Sequence, residues 1–271
     1  MSLGKNIKRI RENNKITQEE LANMLNVSFQ AISAWERDEY KPELSNLLNL
    51  ADKLNVPLSK IVENKTFEFE NKDTIFNLEH MKTYIKTTAL NLKLENTLKA
   101  LSFAEIAHNG QFRKNSKVPY IYHPLTLACH CLSMNIKEDD VIAACLLHDV
   151  VEDCNVNIKE IPVDDDIKLL IELLTHPKTN DNNREKIMDS YYNKINNNPK
   201  ASLIKCVDRC NNLTTMSWGL SKDRIYRMIK ETEKYYPPLL KTVKENIDYN
   251  NAYWLLKYQI ESMLDIYKGL I

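Results

Sequence analysis

From Thr97 onward, segment after segment spaces its apolar residues three and four apart, and alternating apolar–polar runs are scarce. Such spacing buries one side of a helix, whereas strict alternation would bury one face of a strand. Only four glycines occur in 271 residues, few for a chain built from strands and tight turns. The pattern predicts helices over 97–109, 123–134, 138–148, 164–175, 181–196, 199–211, 222–235 and 237–268, the last with a possible break, after an earlier helical stretch from Thr74 to Leu98. With 43% of residues hydrophobic, an all-α domain of roughly 180 residues can bury a core of its own.

The first 65 residues carry a smaller pattern. Ile7, Ile10, Ile16, Leu21, Met24, Leu25, Val27, Ile32, Trp35, Leu44, Leu47, Leu48, Ala51, Leu54 and Ile61 form a compact apolar set at helical spacing. Thr17 and Glu20 fit a capping box, in which two side chains satisfy backbone N–H groups at a helix start. Asn26-Val27 marks a tight turn. Ser28 can cap a third helix from about Phe29 to Asp38, Pro42 precedes a fourth and Pro57 opens a fifth. Two short helices joined by a turn of roughly three or four residues make a helix-turn-helix, whose second helix can enter the DNA major groove. Residues 63–73, ENKTFEFENKD, are polar and aperiodic. The division is a five-helix helix-turn-helix domain over 1–65, a linker over 66–77 and a larger helical domain over 78–271.

Lys+Arg and Asp+Glu number 37 each, so the chain has no overall basic bias toward polyanions. Residues 1–65 hold ten Lys/Arg and nine Asp/Glu, a net of +1, so DNA would be met by a local surface. Six cysteines at irregular spacing, with no CxxC pair, point to reduced, largely buried thiols rather than a zinc ribbon or a disulfide framework. No apolar run nears the roughly 18 residues of a membrane span, and no signal peptide is recognisable, so the expected location is cytoplasmic. His130 and His176 belong to no polar cluster, and Trp218 and Trp254 sit at helical spacing among apolar residues, as core residues do.

The chemistry concentrates in one run. His148-Asp149 follows the apolar stretch Val141–Leu147, and Glu152-Asp153 comes one turn later. On a continuous helix all four would share an arc of about 140° at 100° per residue, where they would repel one another without a cation among them. His123 precedes Pro124 at an expected helix start, and Asp208 and Asn212 lie one turn apart on another helix. Two imidazoles and two carboxylates suit a divalent ion such as Mn2+, Zn2+ or Fe2+. The candidate ligands are therefore His123, His148, Asp149 and Asp208, which leaves Glu152 and Asp153 for proton transfer. Arg113, Lys114, Lys117, Lys205 and Arg209 are cations suited to phosphate. Metal, carboxylate base and cationic clamp are what water attack on phosphorus requires.

Two resemblances add to this reading. The stretch Ile16-Thr17-Gln18-Glu19-Glu20-Leu21-Ala22, then Val27-Ser28, Ile32-Ser33-Ala34-Trp35-Glu36-Arg37 and Lys41-Pro42 resembles the Cro/phage-repressor (Xre-like) helix-turn-helix family over residues 4–62. It implies double-stranded DNA as a partner and, since such heads read paired half-sites, a homodimer. Gln18 would then donate to a phosphate. Ser28 would open the recognition helix, Phe29, Gln30, Ser33 and Ala34 would face base edges, and Arg37 and Lys41 would approach the backbone. The second resemblance rests on Ala107-His108-Asn109-Gly110-Gln111-Phe112-Arg113-Lys114, on Pro119-Tyr120-Ile121-Tyr122-His123-Pro124, on the His148–Asp153 run and on Lys205-Cys206-Val207-Asp208-Arg209-Cys210-Asn211-Asn212. These are similar to the HD hydrolase domain of RelA/SpoT-type alarmone enzymes of the stringent response, over roughly residues 95–245. That resemblance implies Mn2+-dependent removal of the 3′-pyrophosphate from (p)ppGpp. It gives His123, His148, Asp149 and Asp208 as metal ligands and Glu152 and Asp153 as catalytic groups. Arg113 and Lys114 would hold the substrate, with Asn212 and Thr215 near the nucleoside. The loop after Arg113 departs from the family in lacking its usual glycine. Two alternatives stand beside this expectation: a transcription regulator that senses a nucleotide without consuming it, and a hydrolase of another phosphorylated nucleotide.

Overall fold

A computed structural model describes residues 3–54, 56, 58, 61, 75–113, 118–154, 156–179, 183–216 and 221–270. The chain forms two compact units, Met1–Lys72 and Asp73–Ile271. Lys114, Lys117, Trp218, Pro57 and most of the expected linker lie outside the described residues.

The first unit packs α1 (Leu3–Asn13), α2 (Gln18–Leu25), α3 (Phe29–Glu36) and α4 (Leu44–Lys53). Thr17 and Glu20 form the expected capping box at α2, and Asn26 ends that helix in the left-handed conformation at φ 54°. Ser28 caps α3 by accepting from the Ala31 N–H at 3.2 Å. Ile7, Leu21, Ile32, Trp35 and Leu50 make the core, joined by Ile61. Met24, Leu44 and Leu48, expected inside, are instead exposed, because the apolar stripe of each helix is wider than the face its neighbours cover. Gly4 permits a close approach of α1 to the end of α3: a Cβ there would lie 2.1 Å from the Trp35 carbonyl oxygen. A buried ion pair ties α1 to α3, with Arg11 donating to Glu36 at 2.6 and 3.1 Å.

The second unit comprises α5 (Leu78–Leu92), α6 (Glu95–Ala107), α7 (Tyr122–Ser133), α8 (Asp139–Leu147), α9 (Val150–Asp153), α10 (Asp165–Leu174), α11 (Arg184–Asn196), α12 (Pro199–Thr215), α13 (Lys222–Glu245) and α14 (Asn250–Leu270). The helical stretch expected from Thr74 to Leu98 divides at Lys93, which takes φ 58°. Residues 75–77 of the expected linker belong to this unit, where the Tyr122 hydroxyl accepts from the Ile75 and Phe76 N–H groups at 3.1 and 3.2 Å. Every residue from Val141 to Leu147 is buried, which makes α8 an apolar rod at the centre of the unit. Val207, Cys206, Leu203 and Cys210 of α12 are equally enclosed.

Two expectations about helix limits are corrected. The division between 222–235 and 237–268 is absent, since α13 runs through Pro237-Pro238 to Glu245, while the possible break within 237–268 falls at the turn 246–249. Tyr236, Leu239, Leu240 and Val243 are all buried, and this continuous apolar stripe outweighs the roughly 3 kcal/mol that an interior proline costs a helix. The continuous helix over 148–153 is also absent: α8 stops at Leu147, and His148-Asp149 form a turn before α9. Trp254 on α14, expected in the core, is 63% exposed.

Candidate active site

His148 ends α8 by turning its ring back on the helix. Its Nδ1 lies 3.0 Å from the Cys145 carbonyl oxygen, one of the carbonyls that a helix end leaves without a partner. The ring thus replaces the next backbone hydrogen bond and starts the turn at Asp149. His123 sits in the first turn of α7 beside Pro124, where missing N–H donors cost nothing. Asp208 projects from the middle of α12.

These segments bring the four expected ligands together. His123 Nε2 is 3.3 Å from His148 Nε2, 3.4 Å from Asp149 Oδ2 and 3.3 Å from Asp208 Oδ1. His148 Nε2 is 3.1 Å from Asp149 Oδ2 and 4.0 Å from Asp208 Oδ1. Candidate ligand atoms of His123, His148 and Asp149 all lie within 4.8 Å of one another. Both histidines are buried, at 2% and 3% exposed.

The tautomers follow from the other ring nitrogens. His148 Nδ1 faces a carbonyl and must donate. His123 Nδ1 faces the Asn211 side-chain oxygen at 2.6 Å, and that oxygen also accepts from Arg113 at 3.1 Å, so it is an acceptor. In neutral rings both Nε2 atoms then carry lone pairs, 3.3 Å apart and facing each other. Only a shared proton or a cation resolves that contact, and two carboxylates beside it supply the charge for a divalent ion. The donor set fits a metal. The C-terminal end of α8, with its partial negative charge, favours a cation in the same place.

Charge placement agrees with this. Burial opposes protonation of His123, but hydrogen bonds to Asp149 and Asp208 outweigh it and push its pKa up to about 9. Asp149 and Asp208 stay ionised despite burial. His148 and His123 hold Asp149 well below the usual carboxylate range, and Lys205 with His123 does the same for Asp208. Lys205 Nζ is 3.2 Å from Asp208 Oδ2.

The site opens into a cleft of about 760 Å³. Glu152 and Asp153 stand at its edge, exposed to solvent. Partial desolvation and the Asp149 charge raise the pKa of Glu152, whose carboxylate accepts from the His176 N–H at 3.2 Å. Arg113 reaches across to α12 and donates to Asn212 Oδ1 at 3.1 Å and Thr215 Oγ at 3.2 Å. Three of the four residues expected at the substrate therefore meet on one wall, while Lys114 lies outside the described residues.

Several contributors escaped the sequence reading. Tyr120 donates to Asp149 Oδ2 at 2.7 Å and stacks on His108, ring centroids 4.8 Å apart. His176, read as unclustered, lines the cleft, as do Arg184, Arg224 and Arg227. The motif spacing around Tyr120 and His123 was the available signal for Tyr120. The arginines come from helices distant in sequence, and only the fold collects them. Conversely, Arg209, read as a phosphate-ready cation, is buried against Glu231 at 2.5 Å and lies over the Tyr236 ring. Lys205 is likewise committed to Asp208.

In the first unit, Phe29 and Gln30 are exposed at the start of α3, as a reading helix requires. Ser33 is half-buried and accepts from Arg37, which also donates to Glu39 twice at 2.8 Å. Gln18 donates to Glu36 at 2.7 Å.

Comparison with known proteins supports both units. Residues 7–61 match the helix-turn-helix family and residues 100–242 the HD domain family. A guanosine-3′,5′-bis(diphosphate) 3′-pyrophosphohydrolase of Borreliella burgdorferi is 29% identical over 234 residues, 76% of this chain and 35% of the relative. The enzyme of that name called MESH1, from Xenopus tropicalis, is 36% identical over 121 residues, 43% of this chain and 66% of the relative. The bifunctional (p)ppGpp synthase/hydrolase SpoT of Escherichia coli is 26% identical over 212 residues, 69% of this chain and 29% of its own length. The chain thus spans about a third of the long bacterial relatives it matches. Among solved structures, a metazoan ortholog of SpoT that hydrolyses ppGpp superposes with a TM-score of 0.51 at 20% identity, covering 65% of this chain and 97% of that one. This likeness bears on the fold.

Proposed function

The chain belongs to the HD domain family, and we propose that it is a metal-dependent hydrolase that removes the 3′-pyrophosphate of (p)ppGpp, joined to a DNA-binding helix-turn-helix. The observation that carries the proposal is the meeting of His123, His148, Asp149 and Asp208 at one buried point, with Glu152 and Asp153 beside it and Arg113, Asn212 and Thr215 on the facing wall. The names of the relatives supply the substrate class.

His123, His148, Asp149 and Asp208 would hold a divalent metal, with Mn2+ as the first candidate. The bound ion supplies Lewis-acid chemistry for water attack on phosphorus. The protein's own groups do the rest. Glu152, with its raised pKa, accepts the proton lost by the attacking water, and Asp153 stands next to it as its partner or substitute. Arg113 presents a planar fork suited to two phosphate oxygens. Asn212 and Thr215 already hold that fork in place, so it need not be ordered when substrate enters. The balance is simple: the bond between the ribose 3′ oxygen and phosphorus is replaced by one to the water oxygen, which gives pyrophosphate and GDP or GTP. In the first unit, Gln18, Ser28, Phe29, Gln30, Ser33 and Arg37 form the DNA-facing set, with Gln30 best fitted to adenine.

Purified protein incubated with ppGpp and Mn2+ should release pyrophosphate, and chelation should stop it. If ppGpp is not consumed but alters operator affinity, the domain senses the nucleotide. If ppGpp is inert and another phosphorylated nucleotide turns over, the hydrolase class stands and the substrate changes.

A further inference from the structure

Helix α14 has two apolar sides, and the fold uses one. Tyr249, Ala252, Tyr253, Leu256, Ile260, Leu264 and Tyr267 face the core. On the opposite side Trp254, Leu255, Tyr258 and Ile266 are 63%, 53%, 74% and 54% exposed. At 100° per residue these four fall within an arc of roughly 120°, centred close to the direction opposite the core. Asn251, Ser262 and Gly269 share that arc, and Asp265 is its one charge. Lys257, Glu261 and Lys268 border it on one side. A helix carrying tryptophan and tyrosine on its outward face has the pattern of one that is covered on both sides.

We propose that this stripe is a twofold interface with a second copy of the chain, the two α14 helices packing antiparallel. The sequence of the stripe is self-complementary about a point near residue 260. An axis there sets Tyr258 of each copy against Ser262 of the other near the middle of the stripe, so the large ring meets a smaller side chain. The charges complement one another as well: Lys257 in the first half of the helix comes beside Asp265 in the second half of its mate. A parallel pairing would set Asp265 against Asp265. An isologous contact of this kind closes at two copies and leaves no unused patch. The interface stands on the helix itself and is independent of the hydrolase reading. Its consequence for the first unit is that two DNA-reading heads would be delivered as a pair.

Sedimentation velocity of the full-length protein over a concentration series tests the proposal. The expected result is a dimer whose dissociation constant rises at least tenfold on Tyr258→Glu and on Trp254→Glu, with helical content and ppGpp turnover per chain unchanged. Leu169→Glu, at an equally exposed leucine on α10, should leave the dimer intact. Lys257→Glu should weaken association, and Asp265→Lys in the same chain should restore it if the helices are antiparallel. A wild-type monomer throughout the series, a dimer indifferent to both aromatic substitutions, or equal dissociation by Leu169→Glu would overturn the interface. Failure of the charge reversal would overturn its antiparallel register. Loss of ppGpp turnover in wild-type protein would leave all of these outcomes readable.

Discussion

In metal-free protein, His123 should make stability fall as pH rises from neutrality to about 9. Its pKa is raised from 6.5 to about 9 by hydrogen bonds to Asp149 and Asp208, against the cost of burial. A group whose folded pKa is raised contributes its stability in full below the unfolded value and loses it as pH climbs through the folded value. Each tenfold change in proton affinity is worth about 1.4 kcal/mol. The rise therefore corresponds to ~3 kcal/mol at most, because the same hydrogen bonds also serve the two carboxylates. His108 and His130 act in the opposite sense: burial lowers their pKa values, so their contribution is complete once pH exceeds the ordinary histidine range. The limb between about pH 7 and 8 thus isolates His123, because above it the thiols of Cys129, Cys206 and Cys210, pushed up by burial, add a fall of the same sign. A divalent metal should reverse the slope. It competes with the His123 proton, so apparent affinity should rise about tenfold per pH unit until that proton is gone. Urea unfolding of chelated protein between pH 6.5 and 8 measures the first effect. Calorimetric Mn2+ titration in two buffers of different ionisation heat counts the displaced proton. Metal-free stability that is flat or rising over this range, or metal binding that releases no proton at pH 7, would refute the shared-proton picture of the site.

Four further outcomes follow from the same geometry. Asp149→Ala should abolish metal binding and turnover while the first unit keeps its helical signal, checked by metal analysis and circular dichroism; unchanged turnover would sink the ligand assignment. Tyr120→Phe removes the hydroxyl that fixes Asp149 Oδ2 at 2.7 Å and should weaken metal affinity roughly 10-fold, as loss of groups that orient metal ligands does, with little change in melting temperature. Arg209→Ala should destabilise the second unit by about 1–3 kcal/mol in urea, because it removes the buried guanidinium from Glu231 and from the Tyr236 ring, while the Tyr192 hydroxyl at 2.9 Å still serves the carboxylate. Gly4→Ala should cost the first unit about 1–3 kcal/mol of overpacking, since its Cβ meets the Trp35 carbonyl oxygen; native stability in that variant would show that α1 can shift.

How far the sequence discloses such a site depends on which bonds define it. The metal-facing groups were legible because their chemistry is intrinsic: His123, His148, Asp149 and Asp208 have no good alternative to a cation when set beside apolar segments. The fold class was legible because apolar residues recur three and four apart along most of the chain, and α8 beyond Asp139-Asp140 is apolar on every side. What escaped was relational. Arg113 and Arg209 look alike in sequence, yet one spans the cleft mouth to Asn212 and the other is pinned beneath it by Glu231, a partner 22 residues further along. His176 is an isolated histidine in sequence, and only the packing of α10 beside α8 brings its N–H to Glu152. A helix limit failed where side chains overrule backbone rules, as when the Tyr236 stripe carries α13 through two prolines, whereas the end expected at 148 stands, with the His148 ring on the Cys145 carbonyl.

The turn after α8 carries two of the four ligands. His148 and Asp149 keep right-handed helical dihedrals across that turn, at φ −57° and −99°, so their side chains leave the backbone in neighbouring directions. The turn brings Asp149 Oδ2 to 3.1 Å from His148 and 3.4 Å from His123, and swings Glu152 outward to the cleft edge. A single ring-to-carbonyl contact at Cys145 therefore separates two kinds of acid in one short run. Asp149 is drawn in among cations and held ionised, and Glu152 is left partly desolvated beside a negative neighbour with its proton affinity raised. Opposite shifts in adjacent carboxylates are what ligation and proton transfer respectively need, and here they arise from where one helix stops.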